Sequence, residues 1–301
     1  MPRPTVLRDR VSVVTGGAGG IGFATAHRLL EQGCSVAVWD LNTAAVEKAA
    51  ARLRELHPEA ARVLGCTCDV TRTSDIQAAH AETEARLGPV DILINNAGFV
   101  RGGKFLDGSI EDWNTTVTVN LNGVIAVTHA LLPGMESRRF GRVVNISSAS
   151  GTLGVSGLAV YAASKWAVWG LTESLRHEAR DLRNATAVAD RRGLAAAAAG
   201  QLATTDIRFS SVHPGYIKTG MFEGARIRGL GGLIVPLVKS HDVIARAVVQ
   251  DALMKGKPVV MRPRSVRLAV LLRGILPAAV FDQVVRLLGT NSSMQDFRGS
   301  S

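Results

Sequence analysis

The stretch Thr15-Gly-Gly-Ala-Gly-Gly-Ile-Gly22 constrains this chain more than any other. It follows a short β-branched run, Val11 to Thr15, and leads straight into a helical pattern from Ile21 to Gln32 that Gly33 ends. A turn so rich in glycine lets the chain reverse sharply, lets backbone N–H groups approach a pyrophosphate, and lets the helix pack closely on a sheet. The helix N-terminus then offers unpaired donors and the positive end of its dipole. Gly17 to Gly22 fits GxGxxG, and Thr15 to Gly22 fits TGxxxGIG. A glycine turn alone is weak evidence for a nucleotide. The strand before it and the helix after it strengthen that reading.

The same alternation continues. Ser35 to Trp39, Ala61 to Cys68 and Asp91 to Asn95 read as strands; Ala44 to Leu56 and Ser74 to Leu87 read as helices. Further on come a helix from Trp113 to Leu132 closed by Pro133-Gly134, a strand from Arg142 to Ser147, a helix from Tyr161 to Leu182 and a strand from Ile207 to Val212. This order predicts an α/β fold: one Rossmann-like, doubly wound parallel sheet with helices on both faces and right-handed crossovers. Residues 1–255 are expected to form the dinucleotide-binding and catalytic domain, with a substrate loop at about 220–240. Residues 256–301 read as a basic, amphipathic extension. The stretch 181–206, with alanines at 195–199 between Gly193 and Gly200, reads as a surface insertion or an extra turn of helix, without chemistry.

Composition sets the limits. With 301 residues, 47% apolar and 20% charged, the chain can bury a full core and is not a disordered one. Three cysteines, Cys34, Cys66 and Cys68, make no disulfide framework or repeated metal site, which favours a reducing compartment. The N-terminus lacks a signal-peptide pattern and no long uninterrupted apolar run appears, so a cytoplasmic protein is expected. The formal charge of +10 suits nucleic acid, anionic lipid or an anionic cofactor. Nucleic acid is the poorest of these, because the basic residues lie among aliphatic ones without aromatic platforms.

Asp40 ends the second strand about twenty residues after the glycines, where an acid can hold both ribose hydroxyls of NAD. Its charge would repel the 2′-phosphate of NADP, and no basic residue follows in Asp40-Leu-Asn-Thr43. NAD is therefore favoured over NADP. Tyr161-Ala-Ala-Ser-Lys165 places a phenol and an ammonium at i and i+4 on one helix face. A tyrosine with an ordinary pKa of about 10 is a poor base at neutral pH. An ammonium beside it, joined by a cationic nicotinamide, favours the phenolate and suits it to acid–base work on an alcohol.

YxxxK is common by chance, and its company gives it meaning. Ser148 precedes Tyr161 by 13 residues, Asn95-Asn-Ala-Gly98 closes the fourth strand, and Asn120, Cys68-Asp-Val70 and His213-Pro-Gly-Tyr-Ile-Lys-Thr219 complete the series. In this order, over roughly residues 8–222, the sequence resembles the short-chain dehydrogenases/reductases. The resemblance implies a catalytic tetrad of Asn120, Ser148, Tyr161 and Lys165. Tyr161 would exchange a proton with the substrate oxygen, Ser148 would hold that oxygen, Lys165 would lower the tyrosine pKa and bind the nicotinamide ribose, and Asn120 would hold a water leading to Lys165. It also implies that Gly16, Gly17, Gly19, Gly20, Ile21 and Gly22 cradle the pyrophosphate and that Asp40 binds the adenosine ribose. Asp69 and Val70 would border the adenine, Asn96 would lie along the cofactor, and Ile217 with Thr219 would touch the carboxamide. Family members commonly pair through helices, so a homo-oligomer, dimer or tetramer, is implied; the 181–206 insertion follows the helix that carries Tyr161 and Lys165 and bears on that interface.

Other conspicuous residues read more plainly. His177 lies about four turns beyond Tyr161 and is taken for a surface residue, and His213 for part of a fixed turn. Cys66 and Cys68, alternating along a strand, share one face and belong to the core. Trp166 and Trp169 read as helix packing. The loop from Gly220 to Leu237 is aliphatic and rich in glycine, which predicts an apolar pocket. From Lys255 to Arg286 stand seven basic residues and one acid, and Phe281, Val284, Val285 and Leu288 share one helical face. That element can pack on protein, or lie on a membrane surface through residues 256–288. The tail also resembles the ends of retinol and 17β-hydroxysteroid dehydrogenases, which implies a lipophilic alcohol or ketone as substrate. The expected activity is NAD(H)-dependent interconversion of alcohol and carbonyl; a non-catalytic or membrane-surface binding protein on the same fold is the alternative.

Overall fold

The structure, a computed structural model, describes residues 5–58, 62–191, 205–217 and 237–287. Seven strands make one parallel sheet: β1 (Val11–Thr15), β2 (Ser35–Asp40), β3 (Val63–Thr67), β4 (Ile92–Asn95), β5 (Phe140–Ile146), β6 (Asp206–Pro214) and β7 (Val259–Arg262). Their order is β3-β2-β1-β4-β5-β6-β7. The chain moves outward in one direction from β1, then returns and moves outward the other way from β4. The crevice between β1 and β4 at the carboxyl edge is therefore the switch point where such sheets bind ligands. Strands buried on both faces need no polar alternation, and β1 and β4 are buried at every residue.

Helices α1 (Gly20–Glu31), α2 (Thr43–Leu56) and α3 (Thr73–Leu87) fall where the pattern predicts, within two residues. One face of the sheet packs Val14, Val36, Val38, Ile92 and Ile94 against Leu29 and Leu30 of α1 and Val248 and Leu253 near the C-terminus. The other packs Val13, Trp39, Leu93 and Val143 against Ile76, Leu131 and Met135, with Cys66 and Cys68 in the same cluster as expected. Burying such side chains supplies about 25 cal/mol per Å² of apolar surface, the dominant stabilising contribution.

Three expected boundaries are corrected. The helix expected over 113–132 runs from Ile110 to Ser137, as α4 (Ile110–Val117), a π-helical segment (Thr118–Asn122) and α5 (Gly123–Ser137), straight through Pro133. Proline forfeits one hydrogen bond, but Leu131 and Met135 beside it are fully buried and hold the last turn. By length and mean hydropathy, 1.3 over its best window, this helix could cross a membrane; here it lies against the sheet and α3. Helix α6 runs from Ala159 to Arg191 and so takes in residues 181–191 of the expected insertion. Residues 183–191 contain no glycine or proline to stop it; residues 192–204 lie outside the described residues. His213 is not in a turn but on β6, fully buried.

The C-terminal region holds α7 (His241–Arg246), continued by a π-helical segment (Ala247–Met254), then β7, α8 (Val266–Ile275) and α9 (Ala278–Leu287). α8 starts beyond the carboxyl end of β7. Arg273 donates to the Thr152 carbonyl at 2.8 Å and stacks over the Trp166 ring at 4.2 Å, so α8 lies beside the segment that follows Ser148.

Candidate active site

The glycine turn delivers what its composition promises. Gly16 has φ +58° and Gly20 φ +52°, in the left-handed region that disfavours side chains. A Cβ on Gly22 would lie 2.1 Å from the Gly16 carbonyl oxygen, and one on Gly17 would meet Val38 at 2.9 Å, so these two serve close packing. A Cβ on Gly19 would meet nothing within 4 Å. Gly19 is the N-cap of α1; no side chain caps that terminus and no acid stands in the first turn. The N–H groups there face open space ready for an anion.

Around that space a cleft of about 310 Å³ is lined by Gly16, Gly19, Gly20, Ile21, Asn96, Ser148, Tyr161, Lys165, Ile217 and His241, among others. Asn96 donates to the carbonyls of Thr15 and Gly16 at 3.1 and 2.9 Å, which ties the end of β4 to the glycine turn. The Ile217 backbone pairs with Val238, and Thr219 lies outside the described residues, as does most of the expected substrate loop. Asp40, Asp69 and Val70 stand along the same sheet edge on the β2–β3 side. Asp40 accepts from the Ala18 N–H at 3.0 Å, which positions its carboxylate against the glycine turn. Asp69 instead caps its own loop, accepting from the Thr71 N–H at 2.9 Å and its hydroxyl at 2.7 Å.

Four side chains from three elements converge at the other end. Ser148 follows β5, and its hydroxyl is hydrogen-bonded to the Tyr161 phenol from α6. Lys165, one turn on, donates to the Ile146 carbonyl at 3.1 Å, with its Nζ 5.9 Å from the centre of the tyrosine ring. Asn120 sits in the π-helical segment, where the wider turn aims it inward: it accepts from the Phe99 N–H at 2.8 Å and donates to the Phe99 carbonyl at 2.9 Å. A Cβ on Gly98 would come within 3.2 Å of the Asn120 Oδ1 and 3.4 Å of the Lys165 Nζ, so that glycine makes room for both.

The electrostatics differ from the expectation at one point. Burial is the largest influence on Tyr161 and pushes its pKa up, while the hydrogen bond with Ser148 draws it down. The same burial lowers Lys165 to about 8. With the protein's own groups alone, the phenol keeps its proton and is set to give it. Taking a proton would need the further positive charge of an oxidised nicotinamide.

Several members of this site were not singled out in the sequence. Ser164 bridges the pair, donating to the Tyr161 carbonyl at 2.7 Å and accepting from Asn120 at 3.1 Å. Asn95, Asn145 and Thr172 form a buried chain of hydrogen bonds at 2.8 and 2.9 Å beneath the site. Ser147, just before Ser148, donates to the Lys165 carbonyl at 2.8 Å and anchors α6. His213 packs edge-on against Trp169, with its Nδ1 3.3 Å from the Ser148 carbonyl, and burial lowers its pKa to about 4. Asn95, Ser164 and His213 stood in motifs of the sequence without these roles, and Asn145 and Thr172 carried no signal.

A nucleotide cradle at the switch point and a serine, tyrosine and lysine at its far end define an oxidoreductase class, and the comparisons agree. Residues 10–189 match the family model for short chain dehydrogenase, and the chain belongs to that family. It is 31% identical over 296 residues to human epidermal retinol dehydrogenase 2, covering 98% of this chain and 87% of the relative. It is 27% identical over 316 residues to zebrafish (Danio rerio) retinol dehydrogenase 10-B, with coverage of 98% and 87%. A solved structure described as a short-chain dehydrogenase, from Novosphingobium aromaticivorans, superposes with a TM-score of 0.70 at 28% identity, covering 93% of this chain and 87% of that one. The family works with a nicotinamide cofactor. The cradle fits such a group: open space over Gly19, an uncapped helix terminus without acid, and a carboxylate at the end of β2.

Proposed function

We propose that the protein is an NAD(H)-dependent oxidoreductase that interconverts an alcohol and a carbonyl on a lipophilic substrate of retinoid, steroid or long-chain type. The observation that carries this reading is the presence of Ser148, Tyr161 and Lys165 in one cleft with the glycine turn. A bound nicotinamide would accept or donate the hydride. The Gly19–Ile21 N–H groups would hold its diphosphate, Asp40 its adenosine ribose, and Lys165 its nicotinamide ribose. Asp69, Val70, Asn96, Ile217 and Thr219 would complete the cofactor's surroundings. Ser148 would hold the substrate oxygen while Tyr161 gives or takes its proton, and Asn120 would fix the backbone of Phe99 beside Lys165 and position a water. Asp40 supports NAD over NADP by charge.

The substrate class rests on the relatives named above, which are called retinol dehydrogenases, and on the tail. Leu268, Leu271 and Ile275 of α8 and Val280 and Leu287 of α9 are exposed, in a region rich in arginine. That combination supports contact of α8 and α9 with a membrane surface, from which a lipophilic alcohol could be drawn. A homo-oligomer belongs to the same reading.

The test follows NADH absorbance with NAD⁺ and a panel of retinol, steroid alcohols, long-chain alcohols and small secondary alcohols. Turnover of a lipophilic member is expected, falling about 10³-fold in Tyr161→Phe with NADH affinity unchanged. Failure of the whole panel despite tight NADH binding would favour a binding protein on the same fold.

A further inference from the structure

Resting on the cofactor reading above, we infer that His241 is a cofactor-binding residue, its imidazole contacting the diphosphate beside the α1 N-terminus. His241 is distant in sequence from every glycine of the turn, yet it lines the same cleft. A Cβ on Gly20 would lie 3.6 Å from its Nε2 and 3.7 Å from its Cδ2, so the ring stands against the first residue of α1.

The position is fixed from both sides. Three residues earlier, Val238 donates to the Tyr216 carbonyl at 2.8 Å and pairs with Ile217 just past β6. One residue later, Asp242 takes two hydrogen bonds from Arg28 of α1, at 2.7 and 2.8 Å. A guanidinium gripping both carboxylate oxygens sets an orientation as well as a distance. The helix that presents the diphosphate donors is thereby clamped to the helix that presents His241.

Charge gives the contact a purpose. Among the described residues that line the cleft, Lys165 is the one lysine or arginine, and it stands at the Tyr161 end. The α1 N-terminus offers the diphosphate backbone dipoles worth about half a charge. An imidazole at this place would add a side-chain donor to those dipoles, with a positive charge whenever it is protonated. On the same two helices, Arg28 and His27 pair with Glu31, and Arg28 and Arg246 pair with Asp242.

Calorimetry of the full chain with ADP-ribose and, separately, with adenosine tests the contact. His241→Phe is expected to weaken ADP-ribose about tenfold and leave adenosine unchanged, while His241→Lys, which keeps a donor and a charge, recovers most of the loss. Equal weakening of both ligands, or no change in either, would overturn the inference, since the ring would then be only a packing element or a bystander. Failure of the unsubstituted protein to bind ADP-ribose at all would instead sink the cofactor reading on which the inference stands.

Discussion

Two buried titratable residues carry opposed consequences for stability and activity. Lys165 is almost fully buried, and its pKa falls from 10.5 to about 8 because burial disfavours the ammonium. At neutral pH the folded protein therefore holds a charge it would rather not hold. Between about 8 and 10.5 the unfolded chain binds the extra proton, so stability should rise with pH across that window. Lys165→Met should stabilise the protein at neutral pH by about 2 kcal/mol and abolish that rise. Denaturant titrations at neutral and alkaline pH would check both, and a fall in cofactor affinity should accompany the gain. His213 titrates on the acid side. It is buried neutral with its pKa lowered from 6.5 to about 4, so its contribution is present above 6.5 and is lost as the pH falls toward 4. His213→Phe should flatten the melting temperature over that range, as a thermal scan at several pH values would show.

At the scale of the element, the π-helical segment is the feature that makes the site possible. One wide turn between α4 and α5 brings Asn120 to the backbone of Phe99 and to Ser164, so two helices and the β4 loop share one side chain. Asn120→Ala would leave the Phe99 N–H and carbonyl without their partner. A loss of about 2 kcal/mol is expected, seen as a lower denaturant midpoint at unchanged slope. The Arg28–Asp242 clamp shares this character: two helices far apart in sequence meet through a side-chain pair as well as through the apolar cluster of Leu29, Leu30, Ile244 and Val248. The alternation of strands and helices was legible in the sequence because period and glycine punctuation fix local conformation. The π-helical turn was not, since Thr118-Val-Asn-Leu-Asn122 has no distinctive composition and the widening answers to contacts made elsewhere.

For the molecule as a whole, the catalytic body and the tail are held together unequally. Among the described residues, α9 buries none, while α8 contributes Val266 and the Arg273 contact. Truncation after Leu276 should therefore change the melting temperature by only about 2 °C. The same truncation should weaken binding to anionic vesicles, which in the full chain should itself decline as salt screens the basic residues. Sedimentation with vesicles, with and without salt, measures both. A truncated protein that keeps full, salt-sensitive vesicle binding would remove the tail from the membrane reading.

The sequence by itself determined the parallel order of strands and helices, the glycine turn, the carboxylate at the end of β2, and the Ser148, Tyr161 and Lys165 set, because each depends on local conformation or on fixed spacing within one segment. Tertiary structure alone decided that α6 runs on to Arg191, that His213 is buried on a strand, that burial outweighs the Ser148 hydrogen bond at the Tyr161 phenol, and that His241 stands against Gly20. Each of these follows from what lies against a residue after the chain has closed on itself, and desolvation and long-range contact leave no local trace in the order of residues.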